Sequence, residues 1–142
     1  MVVEHPRVLT NGHYKDFGYG FYCTALELQA RRWALGRPKS HIINCYEYER
    51  ATDLKYMSFD QMTDEWLDFI AECRRGVEHT YDIVEGPMAN DTIWDYVEDF
   101  ARGMISRAAF WELARFRYPT HQIAFCTDAA IDTLKYTGSR QL

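Results

Sequence analysis

Two glycines alternate with aromatic residues near the amino end, in the run Asp16-Phe17-Gly18-Tyr19-Gly20-Phe21-Tyr22-Cys23-Thr24. Gly18 and Gly20 favour a tight turn or a close approach of a ligand to the backbone. The residues after them predict a strand on which Tyr22 offers an aromatic face to a flat ligand. Alternation along a half-buried strand also explains Phe21 and Tyr22, with one side chain inside and one outside.

A helix is predicted directly after this strand. Thr24 is expected to cap it, and Glu27 completes a capping box. The four cations Arg31, Arg32, Arg37 and Lys39 gather along and after this helix. Such a cluster is typical of a solvated helix end, and it is also a candidate anion-binding patch.

The rest of the chain alternates strand and helix signals, which indicates an α+β fold in a single domain of 142 residues. The predicted strands are His41–Tyr48, Tyr81–Val84 and Gln122–Phe125. The predicted helices are Phe59–Arg75, Asp91–Phe100, a helix capped by Ser106 that runs to about Phe116, and a last helix capped by Thr127 that runs through Leu134.

Composition excludes several classes of protein. The net charge of −5 argues against a broadly basic nucleic-acid surface. The four cysteines stand singly without zinc spacing, so we expect free thiols in a reducing compartment and no metal site. No apolar run approaches the ~20 residues that span a bilayer, and the amino end lacks a signal-peptide pattern. These features predict a cytoplasmic protein that does not bind a membrane.

Four separated blocks of the sequence together resemble one bacterial family. They are Asp16–Thr24, the segment Gln29-Ala30-Arg31-Arg32-Trp33-Ala34, Tyr81–Asp91 and His121–Thr127. In order and spacing they are similar to a bacterial domain of unknown function, DUF3990, that is grouped with the ADP-ribosyltransferase-like fold. The resemblance covers almost the whole chain. It implies a split, mostly antiparallel sheet with flanking helices, and transfer of ADP-ribose from NAD without a metal.

The resemblance also implies catalytic roles for Tyr22 and Gln122. Tyr22 matches the aromatic residue that stacks on nicotinamide, and we expect its hydroxyl to stay hydrated. Gln122 matches the position where related transferases carry a Glu that bonds the ribose. An amide can bond a ribose hydroxyl but cannot stabilise a developing cation by charge, which favours transfer of a single ADP-ribose unit. A polar residue at a strand edge is the structural alternative for Gln122.

Further NAD contacts follow from the same resemblance. Asp16, Gly18, Gly20 and Thr24 would form the loop around NAD, and Arg32 would meet its pyrophosphate. Two roles stay open for Asp16: it bonds a ribose hydroxyl of NAD, or it caps or tethers the glycine turn. Asn90 and Asp91 are expected to orient the substrate, although a helix-capping role explains Asp91 as well.

The family's opening strand, which carries a His, has no counterpart in this sequence. The chain starts Met1-Val2-Val3-Glu4-His5-Pro6-Arg7, which is similar to the linker that follows that strand, and His5 beside a proline is a poor substitute. We therefore expect the domain 1–142 to lack the opening strand, either because the natural start lies upstream of this sequence or because the motif has been lost.

The resulting hypothesis is an NAD-dependent mono-ADP-ribosyltransferase, acting as the toxin of a toxin-antitoxin or phage-defence system. Its partners would be a macromolecular acceptor, protein or nucleic acid, and an antitoxin protein. One alternative is an NAD glycohydrolase, in which water is the acceptor. The other is a catalytically inactive fold that binds a partner protein.

Overall fold

The computed structural model describes residues 1–10, 16–39, 41–89, 91–116 and 120–142. The strands are β1 (Phe21–Cys23), β2 (Ile42–Tyr48), β3 (Tyr56–Ser58), β4 (Ile83–Gly86), β5 (Gln122–Phe125) and β6 (Leu134–Gln141). The helices are α1 (Glu27–Leu35), α2 (Asp64–Arg74), α3 (Asp91–Ala101), α4 (Arg107–Leu113) and α5 (Asp128–Ile131), and a short 3-10 helix spans Ala114–Phe116. The predicted α+β class is confirmed.

The strands form two sheets in which antiparallel pairing dominates. One sheet has four strands in the order β1-β5-β4-β3, and its β3–β4 pair is parallel. The other pairs β2 with β6, with an irregularity between Cys45 and Tyr46. Because β5 lies between β1 and β4, segments that are distant in the sequence become direct neighbours.

Each face of the four-stranded sheet has its own apolar core. On one face, buried side chains of α2, α3 and α4 pack on Phe17, Val84 and Ala124. On the other face, Ile83, Ile123 and Phe125 pack with α5 and the β2–β6 sheet. Edge-on aromatic contacts join the two sheets, with ring centroids 5.6 Å apart for Phe21 and Tyr46 and 5.4 Å apart for Tyr48 and Phe125.

The helices α2, α4 and α5 each begin at a residue whose side chain caps the first turn. Ser106 Oγ accepts a hydrogen bond from the Ala109 amide and Thr127 Oγ1 accepts one from the Ala130 amide, both at 3.1 Å, as predicted. The predicted start of α2 at Phe59 is wrong. Thr63 caps this helix by accepting from the Trp66 amide at 3.2 Å, so α2 begins at Asp64.

Two strands were not predicted, and the bounds of β2 and β4 differ from the prediction, since β2 begins at Ile42 rather than His41 and β4 ends at Gly86 rather than Val84. The expected helix through Leu134 is wrong, because α5 ends at Ile131 and Leu134 begins the strand β6. The strand β3 was not predicted, and β4 begins at Ile83 rather than Tyr81. Within the described ranges, no helix combines the length and the apolar character needed to cross a membrane.

Candidate functional site

The glycine turn before β1 is shaped by two different requirements. Gly18 has a φ of +82°, a left-handed conformation that side chains with a Cβ seldom adopt. Gly20 has ordinary backbone angles, but a Cβ there would lie 3.0 Å from the Phe125 carbonyl oxygen. Gly18 therefore permits the turn, and Gly20 permits the close approach of the end of β5.

Tyr22 closes this turn through its hydroxyl group. The hydroxyl donates to the Gly18 carbonyl at 2.6 Å and accepts from the Phe17 amide at 3.0 Å. Burial raises the pKa of the Tyr22 hydroxyl well above its ordinary value of 10.0. The expectation of a hydrated hydroxyl is wrong, because two backbone groups of the turn take up its hydrogen-bonding capacity. Tyr22 as a whole is half-buried and packs against the core on the α2, α3 and α4 side of the sheet.

Asp16 is the buried centre of a hydrogen-bond network that includes Gln122. Asp16 and Gln122 are only 5% and 4% exposed. The Asp16 Oδ2 atom accepts from Gln122 Nε2 at 3.0 Å and from the Ala89 amide at 2.8 Å, and Oδ1 bonds to Arg74 Nη2. Asp16 therefore tethers the glycine turn to β5, to the segment after β4, and to α2. Gln122 is not a strand-edge residue, and among the described residues its Oε1 atom has no hydrogen-bond partner.

Arg74 is a member of this network that sequence reasoning missed. Its guanidinium carbon lies 3.1 Å from the centroid of the Trp94 ring, and its Nη1 atom lies 3.6 Å from Glu98 Oε1. Nε and Nη1 are buried without a hydrogen-bond partner in the described part of the chain. The available signal was its position in α2, because Arg74 follows Trp66 and Ile70 on the buried stripe of that helix.

Thr24 belongs to a second cluster, at the end of the four-stranded sheet. It does not cap α1, because the N-cap residue is Leu26, which makes no side-chain cap. Thr24 Oγ1 accepts from the Leu26 amide at 3.1 Å and lies 3.5 Å from His121 Nδ1. Nδ1 also lies 3.2 Å from the Ala25 amide nitrogen, and Nε2 lies 2.7 Å from Glu85 Oε1.

These contacts indicate which tautomer a neutral His121 ring adopts. Since Nδ1 accepts the Ala25 amide proton, the neutral ring carries its hydrogen on Nε2 and donates it to Glu85. We call Thr24, His121 and Glu85 the sheet-end cluster. Thr24 lies on the Nδ1 side of the imidazole, and the Glu85 carboxylate lies on its Nε2 side.

Gln29 of α1 fixes the backbone of His121. Its Nε2 atom donates to the His121 carbonyl, and its Oε1 atom accepts from the His121 amide at 3.0 Å. Gln29 is only 6% exposed. Sequence reasoning missed Gln29, His121 and Glu85. The signals that could have found the last two were a carboxylate inside an apolar strand and a histidine directly before another.

A cleft of about 250 Å³ opens beside the glycine turn, and Gly18 and Tyr19 of the turn line it. Tyr19, His79, Tyr81 and Cys126 contribute to its walls. Of the predicted contact residues that the structure describes, only Gly18 lines it. The His79 ring links the glycine turn to Tyr81. Its Nε2 atom donates to the Phe17 carbonyl at 2.7 Å, and its Nδ1 atom accepts from the Tyr81 amide at 3.0 Å.

The thiols near this cleft are in their protonated form at neutral pH. Burial raises the pKa of Cys73 and of Cys126 to about 12, and burial has the same effect on Cys23. The four cysteines are free, as predicted.

The remaining residues predicted to contact NAD or the substrate are Arg32, Asn90 and Asp91. Arg32 is exposed in the last turn of α1. Asn90 and the side chain of Asp91 lie outside the described residues, so their substrate-orienting role stays a prediction. The backbone does place Asp91 at the first position of α3.

Comparison with known proteins identifies one related family. The model of the family described as protein of unknown function (DUF3990) matches residues 1–136. No curated protein and no solved structure matches the chain.

Proposed function

This chain belongs to the family of proteins of unknown function DUF3990, and we propose that it transfers a single ADP-ribose unit from NAD to a macromolecular acceptor. In the wider proposal it is the toxin of a toxin-antitoxin or phage-defence system, restrained by an antitoxin protein. The proposal draws on the sequence resemblance to the ADP-ribosyltransferase-like fold and on one structural observation.

That observation is the convergence of Tyr22 and Gln122. Tyr22 lies opposite Ala124 in the β1–β5 pair, two residues from Gln122, so both residues face the same side of the sheet. Asp16 bonds Gln122 directly and belongs to the turn that Tyr22 closes. Two residues from opposite ends of the sequence are thus neighbours on one face of the sheet, which supports a shared role in binding the nicotinamide and ribose parts of NAD.

In this proposal, one group of each residue contacts the substrate: the ring of Tyr22 and the side-chain oxygen of Gln122. Two hydrogen bonds hold the Tyr22 side chain in one orientation, so its ring face is positioned in advance for stacking on nicotinamide. Asp16 holds the Gln122 amide through Nε2, which leaves Oε1 to accept a hydrogen bond from a ribose hydroxyl. In the reaction, the bond between ribose C1′ and nicotinamide breaks, and its electron pair leaves with nicotinamide.

The test is nicotinamide release from NAD that carries a label on its adenylate half, with a cell lysate as source of acceptors. The proposal predicts release together with label on a macromolecule. Release without captured label identifies an NAD glycohydrolase instead. No release, together with intact binding of a partner protein, identifies an inactive binding fold.

A matched pair of variants connects this activity to the site. Tyr22→Ala removes the stacking ring and is expected to abolish nicotinamide release. Tyr136→Ala removes a half-buried tyrosine of the β2–β6 sheet and is expected to leave release unchanged in the folded fraction. Equal loss in both variants would contradict a role for Tyr22 at the site.

A further inference from the structure

We propose that the outward face of α1 is a docking surface for a partner protein, and that the partner covers it with an acidic helix that carries leucines. We call this face the α1 surface. It consists of four exposed side chains of the helix and two exposed cations that follow it, namely Leu28, Arg31, Arg32, Leu35, Arg37 and Lys39. The inference concerns binding alone and does not depend on the proposed NAD chemistry.

The helical part of the α1 surface is one continuous stripe. Its members follow Leu28 by three, four and seven residues, so they lie on the same side of a helix with 3.6 residues per turn. The opposite side of α1 packs on the protein, where Gln29 is only 6% and Ala34 only 7% exposed. The stripe therefore points to solvent.

Two leucines of this stripe lie in water. Leu28 is 72% exposed and Leu35 is 56% exposed. They stand two helical turns apart, which is about 10 Å along the helix axis. Single exposed apolar side chains are common on proteins, but a pair on one helical stripe offers the spaced anchor points at which helix-binding partners make contact.

The α1 surface is basic although the protein is acidic. Residues 28–40 include four cations and no acidic residue, whereas the whole chain has a net charge of −5. Among the described residues, the side chains of Arg31, Arg37 and Lys39 make no ion pair. Cations without a carboxylate of their own protein attract an acidic partner and repel a basic one.

The mixture of leucines and cations favours a protein partner over a nucleic acid. A surface that binds nucleic acid mainly offers cations and polar donors to phosphates, and leucines contribute little there. An amphipathic helix with acidic flanks matches both features at once, because its apolar face covers Leu28 and Leu35 while its carboxylates meet the cations.

A second copy of this chain matches the α1 surface less well. Acidic side chains of α2 are exposed, at Glu65, Asp68 and Glu72 among others. However, no large apolar side chain of α2 is exposed, so this face has nothing to set against the two leucines. Contact between two different faces of identical chains would also lead to open chains of molecules rather than a closed dimer.

The test uses a synthetic helical peptide of about 20 residues as the probe. Leucines three and four residues apart form one face of the peptide, glutamates flank them, and alanine fills the other positions. Two control peptides replace every glutamate by lysine or every leucine by glutamine. We expect the acidic peptide to bind the protein with a Kd of about 10⁻⁵ M by fluorescence anisotropy, and each control to bind at least about tenfold more weakly.

Surface variants of the protein locate the binding. Leu28→Gln combined with Leu35→Gln removes both apolar anchors from exposed positions and should weaken binding of the acidic peptide at least about tenfold. Arg31→Gln combined with Arg37→Gln should weaken it and also reduce its dependence on salt.

Matched substitutions at other exposed positions serve as controls. Met104→Gln changes an apolar side chain that is 72% exposed, and Arg102→Gln changes a cation whose side chain is 74% exposed. Both variants should bind the acidic peptide as the unmodified protein does. Circular dichroism verifies that every variant is folded.

Several outcomes would overturn the proposal. They are no binding of the acidic peptide, equal binding of the lysine peptide, and equal binding by the variant without the two leucines. A DNA duplex that binds more tightly than the peptide, and does so without Leu28 and Leu35, would identify a nucleic-acid surface instead. Self-association in sedimentation that disappears with the two leucines would identify a contact between copies of the chain instead.

Discussion

At the scale of single residues, the groups expected to meet a ligand also hold the protein together. The Tyr22 hydroxyl satisfies one amide and one carbonyl of the glycine turn, and the Gln122 amide bonds the buried Asp16. In our proposal, the groups that contact NAD are the ring of Tyr22 and the Oε1 atom of Gln122. The sequence indicated these residues as candidates for the site, but it could not predict that their polar groups would bond inward, because those partners depend on the folded chain.

Replacing Tyr22 by Phe separates these two roles. The variant keeps the ring but leaves the Phe17 amide and the Gly18 carbonyl without their partner. We expect it to lose about 1 to 3 kcal/mol of unfolding free energy in urea and to retain most of the nicotinamide release of the unmodified protein. An unchanged unfolding free energy would contradict the closing role of the hydroxyl.

The buried tyrosines predict that the protein loses stability in alkali. Burial raises the pKa of Tyr22 above its ordinary value of 10.0 and raises that of Tyr46 to about 12. The unfolded chain therefore releases these protons first, so the free energy of unfolding should fall as the pH rises above 10. Urea unfolding at pH 8 and pH 10.5, with absorbance at 295 nm, measures this effect. Tyrosinate absorbance that rises fully without loss of structure would contradict it.

At the scale of helices and strands, the sequence predicted the helix starts that are set by hydrogen bonds between residues close in the chain. The starts of α4 and α5 were predicted because Ser106 and Thr127 make their own caps. The strand β6 was missed because its stability comes from pairing with the distant β2. The helix α1 begins without a side-chain cap, and Thr24 instead joins the sheet-end cluster, a contact that spans most of the chain.

The glycine turn before β1 offers a test at this scale. Gly18→Ala places a Cβ on a residue with a φ of +82°, which costs about 1 to 2 kcal/mol. Gly36→Ala is the matched control, because Gly36 ends α1 with an ordinary helical φ of −74°. We expect the midpoint of thermal unfolding to fall more in Gly18→Ala than in Gly36→Ala. The reverse order would show that the turn is not held in this conformation.

At the scale of the whole molecule, the Asp16 carboxylate joins the turn before β1, the helix α2, the segment after β4 and the strand β5. A single acidic residue in a loop gives no sequence signal for such a role. Each partner alone is an unremarkable polar group, and only the fold brings them together. Sequence reasoning therefore left both a tether and a ribose contact open for Asp16, and the structure shows the tether.

Removal of this carboxylate should destabilise the entire protein. Asp16→Ala leaves the buried Arg74 guanidinium without its closest anion, and we expect a loss of about 3 to 5 kcal/mol in unfolding free energy. The control is Asp68→Ala, which breaks an exposed ion pair with Arg107 and should change stability little. Equal effects of the two substitutions in urea unfolding would contradict the central position of Asp16.

The central claim is that Tyr22 and Gln122 form the part of the fold that cleaves NAD. The most direct measurement is nicotinamide release from adenylate-labelled NAD by the unmodified protein, by Tyr22→Ala and by Tyr136→Ala, with acceptors from a cell lysate. We expect release and captured label for the unmodified protein and Tyr136→Ala, and neither for a folded Tyr22→Ala. Absence of release from the unmodified protein, or full activity of Tyr22→Ala, would contradict it.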